Sequence, residues 1–213
     1  MKRIILIFAS IAISAQVWGQ TAATSVQPSD PVKFAELAGS VIEASIVRDQ
    51  IVRREGRTFP VRVQNNIKLD IGPDDGIEQS TTVTSETRRG RRAGQTVTGA
   101  FKLGELRLLG AVGGGDAVFT FEDSVLTFIR TFKEGAIKRA FAFSRSPGAL
   151  TCTASENFAR EGGVGGLAMN SAIDGVPVVV ISYKEVSSTC RVVKQSETPP
   201  ASDAATGRIP DSK

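Results

Sequence analysis

The chain has 213 residues, with 26 basic and 22 acidic side chains and a formal net charge of +4 at pH 7. It contains no histidine, which excludes Ser-His-Asp and Cys-His catalysis and any histidine-based zinc site. A net charge this small gives no general case for nucleic-acid binding, so we do not expect a nucleic-acid partner.

The first 19 residues have the pattern of a secretory signal peptide. Two basic residues precede an apolar run at 4–15, which is too short to span a bilayer as a helix. We expect cleavage after Gly19, with Ala15 as the other candidate position, and no transmembrane segment in the mature chain. The sequence therefore predicts an exported, secreted protein of the periplasm or the extracellular medium.

The remaining chain divides by composition into three parts. Residues 20–30 are mostly small and polar, and we interpret them as a disordered linker. Residues 195–213 hold three prolines and one large apolar residue, Ile209, which predicts a disordered tail. The segment 31–194 between them has the size of one ordinary domain and is large enough for a hydrophobic core.

The domain begins with a short helical signal and then turns to strands. Asp30-Pro31 has the form of an N-cap followed by a first helical residue, which predicts one or two helical turns. A β-branched run then predicts a strand at 40–54. The segment 59–71 alternates apolar and polar residues at period 2, with Asn65 as the exception on the apolar side, so one face is expected to be buried.

Later segments continue the same pattern. Further strands are predicted at about 77–88, 95–109, 117–122, 124–133, 136–144, 149–159, 167–173, 176–186 and 189–194. Turn signals separate them, including Glu55-Gly56, 73–76 and the glycine-containing segment 90–94. We therefore expect an all-β, antiparallel meander that forms a single β-barrel or β-sandwich domain, with a short N-terminal helical turn.

The two cysteines, Cys152 and Cys190, both fall in this domain. An even number of cysteines in an oxidising compartment predicts a disulfide, and the alternative is a pair of buried free thiols. Neither cysteine is expected to bind a metal ion, because there is no CxxC motif and no histidine.

Three short segments carry a resemblance. FKEGA at 132–136, TCTA at 151–154 and STC at 188–190 occur among long alternating strands that follow Gly39. Over residues 39–193 this pattern resembles that of small exported β-rich bacterial proteins that are uncharacterised. The resemblance implies an exported β-rich fold and carries no activity with it.

Seven arginines flank two of the predicted turns. They are Arg53, Arg54, Arg57, Arg88, Arg89, Arg91 and Arg92. Alternate turns of an up-and-down meander lie at the same end, so we expect one arginine-rich rim. Guanidinium forks suit phosphate and carboxylate groups, which makes this rim a candidate site for an anionic polymer or a lipid headgroup. The alternative is that charged hairpin tips are merely solvated and discourage edge pairing.

Two other groups of residues suggest different functions. Phenylalanines on three consecutive predicted strands are expected to form the core or, alternatively, to line a barrel pocket for an apolar ligand. They are Phe119, Phe121, Phe128, Phe132, Phe141 and Phe143. Adjacent carboxylates at 74–75 and 122–123 could serve glycoside cleavage, but neighbouring strand residues point to opposite faces.

These observations favour a non-enzymatic exported protein with a binding or structural role, without a cofactor or a bound metal. Two alternatives belong to other classes. One is a barrel that carries a small apolar ligand, and the other is a hydrolase that works through carboxylates.

Overall fold

The computed structural model of the protein describes residues 30–109, 115–132, 135–160, 167–170 and 176–194. The predicted signal peptide, the tail at 195–213 and all of the predicted linker except Asp30 lie outside the described residues. The described chain is almost entirely β, with antiparallel strands and one 3-10 turn, which confirms the predicted fold class. Among these residues there is no helix of the length and apolar character needed to cross a membrane.

The strands form two sheets. The larger sheet contains β1 (Ser40–Arg54), β2 (Arg57–Ile71), β3 (Gly76–Thr87), β4 (Gly90–Lys102), β10 (Leu167–Asn170) and β11 (Pro177–Lys194). Its spatial order is β10-β11-β1-β2-β3-β4. The smaller sheet contains β5 (Arg107–Leu108), β6 (Asp116–Glu122), β7 (Val125–Phe132), β8 (Gly135–Ser146) and β9 (Ala149–Arg160), in that order.

The barrel alternative is wrong, because the two sheets do not close on each other. After β4 the chain leaves the larger sheet, and the Gly104 N–H donates to the Phe119 carbonyl oxygen of the smaller sheet at 2.8 Å. Within the described residues, β4 and β5 are edge strands of separate sheets. The simple meander order holds for β1–β4 and for β5–β9, whereas β11 returns along the chain to pair with β1.

The alternation predicted for the second strand is confirmed in β2. Val61, Val63, Ile67, Leu69 and Ile71 are buried, and so is Asn65 on the same face, while the residues of the other face are half-buried or exposed. Alternating burial of this kind places one face of the strand against the core.

The hydrophobic core lies between the facing surfaces of the two sheets. Ile42, Ile46 and Leu69 of the larger sheet pack in one cluster with Phe119 and Phe141 of the smaller sheet. All five side chains are almost completely removed from solvent. Two sheets that share a core in this way form a β-sandwich.

The predicted disulfide is present between Cys152 on β9 and Cys190 on β11, with the two Cα atoms 5.4 Å apart. Because β9 and β11 belong to different sheets, this bridge joins the two layers covalently. On the same side, the hydroxyl of Tyr183 on β11 donates to the backbone carbonyl oxygen of Glu156 on β9.

Four predicted boundaries are wrong. The strand predicted at 95–109 is interrupted, because β4 ends at Lys102 and β5 begins at Arg107 in the other sheet. The helical turn spans Phe34–Leu37 rather than beginning at Pro31, because the Lys33 N–H donates to the Glu36 carboxylate at 2.9 Å and the turn starts there. Residues 90–94 belong to strand β4 and not to a turn, with 90–93 paired to β3; Gly94 lies at a register shift of this pairing, a position that a glycine in a strand often marks. The two strands predicted at 176–186 and 189–194 are one strand, β11, whose pairing with β1 shifts register twice.

A candidate binding cleft between the two sheets

A cleft with a volume of about 1210 Å³ lies between the sheets and reaches the β1–β2 and β3–β4 turns. The strands β6 and β7 have 7 and 8 residues, whereas β1 and β2 have 15 each. The smaller sheet therefore leaves part of the inner face of the larger sheet uncovered. Ligand pockets commonly measure about 300–1,000 Å³, so the cleft is large enough to hold a small organic molecule.

Arginine is the dominant charged residue of this cleft, which we call the arginine cleft. Its nine arginines are Arg48, Arg54, Arg57, Arg88, Arg89, Arg92, Arg107, Arg130 and Arg139. Among the described lining residues, Glu55 is the only carboxylate. The lining of the cleft therefore carries a clear excess of formal positive charge, although the net charge of the whole chain is small.

The first hairpin turn brings two of these arginines together. Glu55 and Gly56 have φ angles of 49° and 76°, the positive values that a two-residue type I′ hairpin turn requires. This turn makes Arg54 and Arg57 direct cross-strand partners. Directly opposite residues of an antiparallel pair project to the same face, so both side chains reach the cleft.

The second hairpin turn supplies three more arginines from the neighbouring strand pair. Thr87 and Gly90 are cross-strand partners, so Arg88 and Arg89 form the tip of the β3–β4 turn. Both tip residues line the cleft, as does Arg92 on β4. The turn lies between Thr87 and Gly90 and not at 90–94, as predicted, and this position decides which arginines face inward.

The structure brings five of the seven predicted rim arginines to the cleft, and the other two do not line it. Arg53 lies between Val52 and Arg54, which both line the cleft, so it projects to the opposite face. Arg91 also lies on the outer face, where its guanidinium donates to Gln64 at 3.3 Å. The five arginines that do line it, Arg54, Arg57, Arg88, Arg89 and Arg92, are called the rim arginines below.

The other four arginines of the cleft, which we call the inner arginines, are Arg48, Arg107, Arg130 and Arg139. The sequence analysis missed all four, although a signal for three of them exists. Arg48 shares its strand face with the buried Ile46, Arg130 shares one with Phe128, and Arg139 shares one with Phe141. A charged residue at an otherwise apolar position of an alternating strand is expensive to bury alone, and it therefore indicates a buried partner or a polar site. Arg107 lies on the two-residue strand β5 and gave no such signal.

Two of the inner arginines share one buried carboxylate. Glu156 on β9 is 3% exposed and forms ion pairs with Arg48 and with Arg139, the latter at 2.5 Å. The Asn65 side-chain amide donates to the same carboxylate at 3.3 Å, which explains why this polar residue occupies the apolar face of β2. The backbone N–H of Glu156 donates to the Glu185 carboxylate at 2.8 Å. This network anchors β9 to the larger sheet.

The pKa values in this network reflect burial and opposite charge. Burial raises the pKa of Glu156, but the charges of Arg139 and Arg48 outweigh burial and hold its pKa below the ordinary value of 4.5. Burial lowers the pKa of Arg48, against the attraction of Glu156. Burial also lowers the pKa of Arg130, and the nearby charge of Arg139 lowers it further. One carboxylate thus serves two guanidinium groups with a third close by, which leaves this region positive.

Five valines supply the main apolar part of the cleft lining on the inner face of the larger sheet, next to polar residues such as Gln50 and Ser85. They are Val52, Val61, Val63, Val83 and Val180, which we call the valine wall. Four of these side chains form a second buried cluster, and Val83 packs against it.

The six phenylalanines divide between the hydrophobic core and the cleft, and they do not line a barrel pocket, because the sheets do not form a barrel. Phe119, Phe141 and Phe143 are core residues, and Phe121 packs against the same core. Phe128 belongs to the core and also lines the cleft, as Phe132 does.

The adjacent carboxylate pairs lie away from the arginine cleft. Asp75 lies in the β2–β3 turn, at the opposite end of β2 from Arg57, and has a positive φ of 57°. Asp123 lies in the β6–β7 turn with a φ of 48°, and neither pair contributes to the lining of the cleft. In the part of the chain that the structure describes, no group of three or more Cys, Asp or Glu residues could hold a metal ion.

Comparisons of the chain with protein-family models, with curated proteins and with solved structures found no match. A function must therefore be inferred from the chemistry of the arginine cleft.

Proposed function

We propose that the mature chain is a non-enzymatic exported protein that binds an anionic ligand in the arginine cleft. The observation that carries this proposal is the convergence of nine arginines on one cavity with a single lining carboxylate among its described residues. Such an arrangement provides fixed donors for the oxygen atoms of a phosphate or carboxylate group.

The rim arginines are the expected contacts for the ligand. Within the described chain, Arg57, Arg88, Arg89 and Arg92 form no ion pair with a carboxylate, and all four side chains are exposed. Like charges held close together repel each other, so an anion that bridges them relieves repulsion as well as forming hydrogen bonds. Because the rim is exposed, binding is expected to weaken as salt concentration rises.

The test is calorimetric titration of the purified protein with inorganic pyrophosphate at low salt. The variant Arg57→Ser/Arg92→Ser removes one rim arginine from each hairpin. Arg53→Ser/Arg91→Ser is the matched control, because it removes the same charge from the same two hairpins on the opposite face. We expect the rim variant to raise Kd at least about tenfold, since a hydrogen bond to a charged group contributes about 1.5–3 kcal/mol.

The control variant is expected to change Kd by less than about twofold, through long-range charge alone. An equal loss of pyrophosphate affinity in the two variants would mean that binding depends only on the overall charge, and the cleft would then not be the binding site. Absence of binding to the unmodified protein would remove the proposal altogether.

The export part of the proposal rests on the signal-peptide pattern at residues 1–19. The disulfide between Cys152 and Cys190 supports it, since such bridges persist in oxidising compartments. Mass spectrometry of the protein from the periplasm and the medium of producing cells tests it. A mature mass beginning after Gly19 or Ala15 is expected, and a full-length mass confined to the cytoplasm would contradict export.

A further inference from the structure

We infer that the anion is amphipathic: a single monomer with one alkyl or acyl chain and a phosphate or carboxylate head. This inference rests on the proposed function and adds the chemical class of the ligand. The head is bound by the rim arginines and the chain lies along the valine wall, away from solvent.

The valine wall is the first observation behind this inference. Val180 is the cross-strand partner of Val52, and Val52 is the partner of Phe59, so apolar side chains continue across three neighbouring strands. Val83 on β3 extends the wall to a fourth strand. A site built only for a small inorganic anion has no need of such a surface, because apolar walls contribute nothing to the binding of phosphate.

The different states of the inner and rim arginines are the second observation. Arg48 and Arg139 already share the Glu156 carboxylate. Arg107 lies over the ring of Phe101, with its guanidinium carbon 5.2 Å from the ring centre, and donates to a backbone carbonyl oxygen. Each of these inner guanidinium groups is thus engaged within the fold.

The rim arginines Arg57, Arg88, Arg89 and Arg92 lack carboxylate partners among the described residues. An anionic head is therefore best accommodated at the rim, at the turn end of the valine wall.

The depth of the cleft fits a chain of ordinary length. Arg54 at the rim and Arg48 at the inner end are six positions apart on β1, which corresponds to roughly 20 Å at the rise of a β-strand. One leaflet of a bilayer contributes roughly 15 Å of hydrocarbon, so an extended acyl chain fits within this depth, with Phe59, Val61 and Val63 of β2 as its apolar contacts.

The test uses n-alkyl phosphates from ethyl to octyl, below their micelle concentrations, with inorganic pyrophosphate as the chain-free reference. Calorimetric titration of the full exported protein is expected to show Kd falling about fourfold for each added methylene, the value for a buried CH₂ group. Vesicles of phosphatidylcholine and phosphatidylglycerol form a separate arm, which distinguishes uptake of a monomer from adsorption to a membrane surface.

Variants of the cleft lining locate the chain. Val83→Thr puts a hydroxyl into the valine wall at a half-buried position. Val97→Thr puts one at a lining position on β4 outside the wall, and because Val97 is 51% exposed this change is not expected to affect folding. Each variant is expected to raise the Kd for octyl phosphate about fivefold and to leave the Kd for pyrophosphate unchanged. Val193→Thr, which is 41% exposed and does not line the cleft, is the matched control.

The outcomes separate the inference from the proposed function. Pyrophosphate binding with a Kd that does not depend on alkyl length would overturn the amphipathic ligand and leave anion binding in place. Binding to the vesicles without binding to monomeric alkyl phosphates would also overturn it. Loss of binding for every probe, pyrophosphate included, would overturn both.

Discussion

Replacing Glu156 by glutamine tests the buried charge network most directly. The substitution keeps the size of the side chain but leaves the guanidinium groups of Arg48 and Arg139 without their shared carboxylate. Glu156 is 3% exposed and Arg48 is 7% exposed, so water cannot replace the lost charge. Removing one partner of a buried ion pair typically costs about 3–5 kcal/mol.

The expected loss can be stated as a melting temperature. For a domain of about 150–250 residues, each kcal/mol lowers Tm by about 2–4 °C, so Glu156→Gln should lower Tm by about 10 °C. Urea unfolding followed by far-ultraviolet circular dichroism gives the free energy of unfolding, with the disulfide intact in every sample.

A control and a rescue accompany this measurement. Glu43→Gln removes the carboxylate of the exposed pair with Arg191 and is expected to change the free energy of unfolding by less than about 1 kcal/mol. Adding Arg48→Met to Glu156→Gln removes one uncompensated guanidinium and should recover part of the loss. If Glu156→Gln alone stays within about 1 kcal/mol of the unmodified protein, the carboxylate does not compensate the buried arginines and the reasoning is refuted.

Three further predictions concern pH, the disulfide and the core. Because Arg139 and Arg48 hold the pKa of Glu156 below 4.5, its stabilising contribution is present above pH 4.5 and is lost as the pH falls through the lower pKa of the folded state. Urea titrations across this pH range should show that the free energy of unfolding falls less steeply with pH in Glu156→Gln than in the unmodified protein. Replacing both Cys152 and Cys190 by alanine opens a loop with a sequence separation of 38 and should lower the free energy of unfolding by about 4 kcal/mol, whereas an unchanged urea midpoint would contradict this. Phe119→Ala leaves a cavity at a fully buried position and should lower the free energy of unfolding by about 3–5 kcal/mol in the same urea titration. The control Leu108→Ala should leave it almost unchanged, because the Leu108 side chain is 79% exposed.

The fold class and most strands were predictable, because they depend on local patterns. Alternation along β2 reports directly which face is buried, and the Glu55-Gly56 signal marks a turn whose φ angles few other sequences adopt. The choice between barrel and sandwich was not local. It depends on where the chain leaves the larger sheet, near Gly104, and on the contact that this segment makes with Phe119.

The candidate site divides in the same way. Arginines at two alternate hairpin turns predict a common rim, since alternate turns of a meander lie at one end. Which arginines face inward depends on the register: Arg53 and Arg91 project away because alternate residues of a strand point to opposite faces.

The sequence by itself determined the all-β class, the cysteine pair and the position of an arginine-rich rim, because periodicity and turn chemistry act over a few residues. Only the tertiary structure decided that the rim opens into a cavity with an apolar wall. It also brought Arg48 to Glu156, which lies 108 positions further along the chain. Such pairings depend on how two sheets pack, and no local pattern specifies the partner of a buried charge.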